Sequence, residues 1–320
     1  MRIEIWADVV CGWAYIGKRR LERALAGLGT EASVVWRPFR IDPTAPARAI
    51  PLEEALRDPL MDEALRACAP GLTPAENRVR MSEVAAAEGL GPRWGAAWRA
   101  DSHDAHRLIA LAQEHGGPVL QDAVVERIMR AFFIEERDIS DRAVLGELAS
   151  AAGFPAGAAL LDGDAGEALV RELLLEGRAR RVRTSPTIVV GGRALAGAQS
   201  PESIGDFLRT GERERPAPAE VERLRRAESL MDQRDPLGAL TLLRPLQDAF
   251  GDDRGVRTLA ARAYFASAQL NRARSTLEPL VSETPDDAYL RLLLGRTLER
   301  QGLGEEARPH LRLAAASSPG

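Results

Sequence analysis

The sequence predicts an α/β domain carrying a large helical insertion, followed by an all-α solenoid. Three observations carry that reading: a strand–helix–strand opening, a β-hairpin with a closing helix, and a 34-residue repeat in the last third of the chain. The length of 320 residues exceeds what one hydrophobic core usually organises, so two domains are expected. With 45% hydrophobic and 28% charged residues, the composition is that of a globular protein and excludes collagen, coiled coil and long disorder. Lys and Arg number 43 against 47 Asp and Glu, a net charge of -4. No basic field exists to gather nucleic acid or anionic lipid, and neither partner is expected. Cys11 and Cys68 are the only cysteines, too few for a disulfide framework or a cysteine zinc site. The chain enters a strand-like pattern at once and carries no apolar stretch of about 18 residues, so the expected location is cytoplasmic.

Taken in order, Ile3 and Ile5 alternate with Arg2 and Glu4 and lead into Trp6, a strand of period two. Leu21, Ala24 and Leu25 then share one face of a helix that Gly27 and Gly29 close, and Val34–Trp36 gives a second strand ended at Pro38. Strand, helix, strand is the signature of a right-handed parallel crossover. From about 51 to 180 the pattern is helical with no convincing strand. Val125, Ile128, Met129 and Phe132 form an apolar stripe, and Gly116-Gly117-Pro118 and Ser140-Asp141 punctuate the helices. Thr187–Val190, the turn pair Gly191-Gly192 and Arg193–Leu195 read as a hairpin, and Ser200-Pro201 opens a last helix ending near Leu208.

Residues 210–219 are rich in Gly, Pro and charge and read as a linker between a first domain of residues 1–209 and a second of residues 220–320. Ala239, Ala273 and Ala307 are spaced by 34 residues, and so are Ala227, Ala261 and Gly295, and Leu243, Leu277 and Leu311. Gly251, Pro285 and Pro319 fill the closing positions, giving units at 220–253, 254–287 and 288–320. A 34-residue helix–turn–helix unit with small residues where paired helices touch is the tetratricopeptide pattern, and it implies a protein-interaction module.

Cys11 comes after the first strand at the mouth of the first helix, where unpaired backbone N–H groups and the helix dipole favour an anion. That place lowers a cysteine pKa and predicts an accessible, acidic nucleophile. The bland alternative is a small buried apolar residue. The surrounding segment, Trp6-Ala7-Asp8-Val9-Val10-Cys11-Gly12-Trp13-Ala14-Tyr15-Ile16-Gly17-Lys18-Arg19-Arg20, resembles the active-site segment of the DsbA family and its FrnE-like branch of dithiol-disulfide isomerases. The resemblance extends through Trp36-Arg37-Pro38-Phe39, Ser102-His103-Asp104-Ala105-His106-Arg107-Leu108 and Thr184-Ser185-Pro186-Thr187, and covers residues 1 to about 209. It implies a thioredoxin-like fold for the first domain. It also implies thiol–disulfide chemistry at Cys11, with a cis-proline at Pro186 that exposes the backbone of Ser185 to an extended substrate. An ordinary trans-proline at a strand start is the alternative. Against the family's Cys-Pro-Trp-Cys, the second cysteine falls on Ala14 and the proline on Gly12, with Trp13 kept. A resolving thiol is absent from the motif, so the expectation is a monothiol.

Cys68, in Ala67-Cys68-Ala69-Pro70-Gly71, is the candidate second thiol, with an incidental small residue as its alternative. His103 and His106 are spaced to hold a metal but have no third ligand, so no metal is expected. Lys18-Arg19-Arg20 reads either as an anion-binding patch or as a solvated helix face. No cofactor is expected; a low-molecular-weight thiol stands as an optional co-substrate, and the expected client is a protein or peptide thiol or disulfide. The leading functional reading is a DsbA-like thiol-disulfide oxidoreductase or isomerase working through Cys11. A redox-inactive binding or chaperone-like protein is the second reading, its domain order being similar to that of chaperedoxins. A kappa-class glutathione-transferase-like isomerase ranks last, because the nucleophile of that class is a serine.

Overall fold

The computed structural model describes residues 1–29, 31–69, 71–91, 93–210 and 217–316, with side chains omitted at 62, 64, 65, 67 and 68. The expected linker lies mostly outside the described residues. The chain divides into two compact units, Met1–Gly177 with Val182–Arg215, and Arg178–Arg181 with Pro216–Gly320.

In the first unit β1 (Arg2–Ala7) leads into α1 (Gly12–Ala26) and β2 (Ser33–Pro38), followed by β3 (Ile50–Pro51), α2 (Leu52–Ala55), α3 (Pro59–Cys68) and α4 (Pro74–Ala87). Then come β4 (Trp98–Arg99), α5 (His103–Phe133), α6 (Arg142–Ala151), α7 (Gly157–Asp162) and α8 (Glu167–Ala179). The hairpin β5 (Thr187–Val190) and β6 (Arg193–Ala196) and the helix α9 (Pro201–Arg209) complete it. The sheet runs β2-β1-β5-β6. β1 pairs with β2 in parallel, as the crossover requires, with Ile5 opposite Trp36. On its other side β1 pairs with β5 antiparallel, with Ile5 opposite Ile188. Ile3, Ile5 and Ile188 therefore enter one core with Tyr15, Ile16, Leu108, Ile128, Met129 and Phe132.

β2 is an edge strand, and its backbone is satisfied by a side chain. The Trp36 N–H donates to Gln121 Oε1 at 2.8 Å and Gln121 Nε2 donates back to the Trp36 carbonyl at 3.0 Å, so α5 substitutes for a neighbouring strand. The expected helix boundary at Gly116-Gly117-Pro118 is a kink within α5. Gly117 stands at φ 67 and ψ -162 there, a conformation that only glycine adopts freely. The stretch 51–180 is not wholly strand-free: β3 and β4 form a two-residue antiparallel ribbon, too short to show alternation in the sequence.

The second unit contains α10 (Ala219–Asp232), α11 (Pro236–Ala249), α12 (Arg254–Ala266), α13 (Leu270–Glu283), α14 (Ala288–Arg300) and α15 (Gly304–Ala316). Ala227, Ala261, Ala239, Ala273 and Ala307 are buried, and a Cβ at Gly295 would stand 2.6 Å from Leu311 Cδ2. The small residues in 34-residue register are thus the places where helices touch. Two further signals share that period. Asp253 and Asp287 cap α12 and α14 by accepting from Val256 and Leu290 N–H. Arg234, Ala268 and Gly302 take the left-handed conformation in the turns within the pairs.

Candidate functional site

Cys11 is the N-cap of α1, with extended backbone at φ -89 and ψ 112. Its carbonyl accepts from Ala14 N–H at 2.9 Å. Across from it stands the turn before β5, in which the Ser185–Pro186 bond is cis. Cys11 Sγ–H donates to the Ser185 carbonyl at 3.4 Å, and Ser185 Oγ accepts from Asp8 N–H at 2.9 Å. Two segments 174 residues apart in sequence meet at one sulfur.

Cys11 is 8% exposed. Burial pushes the thiol up to about 11, and the carboxylate of Asp8 adds to the rise. The Ser185 side chain and the N–H groups of Ala14 and Trp13 oppose it without cancelling it. The acidic, accessible cysteine expected from the helix N-terminus is therefore not what this geometry gives. The helix end does present donors to the sulfur, but desolvation is the larger effect.

Ala14 is fully buried. Gly12 sits under α4, where an added Cβ would stand 2.5 Å from Met81 Sδ, with Trp94 and Phe133 beyond. Arg80, one residue earlier on α4, lies over the Trp13 ring at 5.7 Å. The residue after α4, Glu88, ties it to α1 again by pairing with Arg20 at 2.7 Å and with Arg23. Trp94 stacks on Phe133 at 4.7 Å between centroids. A cleft of about 360 Å³ opens beside them, lined by Ser82, Arg93, Trp94, Phe133 and Glu136 among others and not by Cys11.

Lys18-Arg19-Arg20 is neither an anion patch nor a solvated face. Lys18 is 4% exposed and pairs with Glu22 at 2.5 Å, Asp122 at 3.0 Å and Glu126 at 3.3 Å. Burial alone would lower its pKa, but the three carboxylates outweigh it and hold the ammonium above its usual range. His106 is buried, and its Nε2 lies 3.1 Å from the Phe39 carbonyl and 3.3 Å from Asp8 Oδ1. A carbonyl only accepts, so Nε2 carries the proton. His103 pairs instead with Glu167 at 2.6 Å. No group of three or more His, Cys, Asp or Glu among the described residues is arranged to hold a metal. The Cys68 side chain lies outside the described residues. Met81 and the Trp94–Phe133 stack escaped the sequence reading, because each joins the site through a contact distant in sequence, and Asp8 stood in the segment around Cys11 with its partners Ser185, Ile41 and His106 not legible there.

A tetratricopeptide repeat model matches residues 230–296. Among solved structures, a probable DsbA oxidoreductase from Streptomyces coelicolor is 28% identical with a TM-score of 0.55, the match covering 68% of this chain and 94% of that one. A cytosolic disulfide reductase, DsbM, from Pseudomonas aeruginosa is 23% identical over 66% and 98% of the two chains, with a TM-score of 0.44. A putative protein disulfide isomerase from Nitrosomonas europaea is 14% identical over 65% and 96%, with a TM-score of 0.47. The curated proteins contain no match. The model of the DSBA-like thioredoxin domain matches residues 2–209, and with Cys11 at the helix mouth beside a cis-proline turn, the chain belongs to that family.

Proposed function

We propose that this chain is a DsbA-like thiol-disulfide oxidoreductase or isomerase that works as a monothiol through Cys11, in the cytoplasm. Residues 1–209 are its chemical domain, 210–219 its linker and 220–320 its protein-interaction module. The observation that carries the reading is the placement of Cys11. A cysteine at the N-cap of α1, its sulfur against the Ser185 carbonyl beside a cis-proline, stands where an extended peptide can pair with the backbone of the turn. The probable oxidoreductase from Streptomyces coelicolor, alike over most of its own length, supports it. In the step proposed, the Cys11 thiolate attacks a client disulfide, forming a mixed disulfide and releasing one client sulfur as thiolate. A second thiol, from the client or from a low-molecular-weight thiol, then attacks the mixed disulfide and regenerates Cys11. Ala14 cannot do so, which is why the cycle needs an external thiol.

One observation favours the second reading, a redox-inactive binding protein: the thiol is buried and pushed up to about 11. Disulfide exchange separates the two. In a Cys68→Ser background the chain is expected to form a mixed disulfide with glutathione disulfide at Cys11, and Cys11→Ser to form none. Ala14→Cys is expected to close a reducible 11–14 bridge, because an N-cap and the residue three positions on lie on one side of the first helical turn. A folded Ala14→Cys chain that stays dithiol in oxidising buffer, with a wild type that forms no mixed disulfide, leaves the binding reading standing.

A further inference from the structure

The buried pair behind the thiol has no part in the exchange step. Asp8 lies on the loop between β1 and α1, three residues before Cys11, and neither it nor His106 is more than 3% exposed. Asp8 Oδ1 accepts from Val10 N–H at 3.4 Å and from His106 Nε2–H at 3.3 Å, and Oδ2 accepts from Ile41 N–H at 2.8 Å. The Asp8 carbonyl accepts from Cys11 N–H at 3.1 Å, and its own N–H reaches Ser185 Oγ, in the residue whose carbonyl holds the thiol. One aspartate therefore joins the loop that carries the nucleophile, the chain leaving β2, the turn before β5 and, through His106, α5.

We propose that Asp8 and His106 are positioning residues for Cys11: the pair fixes the loop from which the sulfur projects and sets a buried carboxylate behind it. The inference rests on the reading of Cys11 as nucleophile. A carboxylate held in low dielectric beside a thiol disfavours the thiolate, in line with the contribution of Asp8 to the raised thiol. Other charges around the site are engaged with one another or directed elsewhere. Arg40, after β2, pairs with Asp101 at 2.7 Å. Arg107 of α5 pairs with Asp104 and with the carbonyls of Gly163 and Ala165. Arg80 of α4 lies over Trp13. The carboxylate opposes the N–H groups at the mouth of α1, and the pair keeps Cys11 a thiol in the resting chain.

The test is the pH profile of Cys11 alkylation by iodoacetamide, in which the thiolate displaces iodide, in the full chain with Cys68→Ser. Asp8→Asn keeps the shape and removes the charge, and is expected to lower the midpoint by about one pH unit, a tenfold faster alkylation at a fixed pH below it. A purely structural role would lower stability and leave the midpoint in place, so a folded Asp8→Asn chain with a wild-type profile overturns the proposal. A second readout covers failure of that variant to fold. The His106 ring signals of the wild type, followed by NMR, should inflect at the Cys11 midpoint and lose that inflection in Cys11→Ser. Signals that pass through the midpoint unmoved overturn it too. An Asp8-dependent profile without disulfide exchange sinks the enzymatic reading and keeps the pair, whereas exchange with an Asp8-independent profile does the reverse.

Discussion

At Cys11 two physical effects of known sign compete. The helix mouth supplies donors that favour the thiolate, whereas burial at 8% exposure removes the water that would solvate it. The sequence makes the first effect legible, because strand, cysteine and helix are contiguous. The second depends on Ser185, Asp8 and the packing of α4, and sequence spacing carries no distances. The same contrast holds for His106, plain to see in the stretch Ser102–Leu108 while its carboxylate partner lies 98 positions away. A pH-dependent stability is the consequence. A group whose folded pKa is raised contributes stability that is full below its unfolded value, about 8.5 for a free thiol, and is lost as pH rises through the folded value of about 11. Between those limits the wild type is expected to lose roughly 2 to 3 kcal/mol relative to Cys11→Ser, both with Cys68→Ser. Urea midpoints measured in parallel from pH 7 to 11 check this, and a constant difference between the two chains would show that the thiol is not buried in solution.

Among the elements, those with strong periodicity were readable in place: β1, β2, the β5–β6 hairpin and the apolar stripe of α5 all arise from local pattern. The ribbon of β3 and β4 was not, because two residues per strand show no alternation. In the repeats the register of small residues was plain, but the turns were not. Arg234, Ala268 and Gly302 share one left-handed turn position, and glycine marks it in only one unit. A non-glycine residue pays roughly 1–2 kcal/mol in that conformation, against about 0.5–1 kcal/mol of extra backbone entropy lost by glycine. Ala268→Gly should therefore stabilise the chain by about 0.5–1 kcal/mol, and Gly302→Ala should destabilise it by a similar amount. Chemical denaturation followed by helical circular dichroism measures both. Opposite signs at the two positions are the required result, and a destabilised Ala268→Gly would mean that the left-handed turn is not populated there.

At the scale of the whole molecule, the proposed function divides chemistry and recognition along the chain. Among the described residues, the hydrophobic core that includes Cys11 is built from residues no later than Leu208. The repeats have a separate core of Ala261, Ala273, Leu277, Leu290 and Leu294 with their neighbours, and they contain no cysteine. On the proposed function their contribution is to bring a client to Cys11, a gain in effective concentration that a small disulfide does not feel. A chain ending at residue 209 should exchange with glutathione disulfide at a rate within about twofold of the full chain, because no group at the sulfur is lost. Its exchange with a protein client that binds the repeats should fall by about tenfold or more. Single-turnover rates at subsaturating client separate the two effects. Equal loss with the small and the large disulfide would mean that the repeats shape the thiol site itself, and equal retention would mean that they recognise something other than the client.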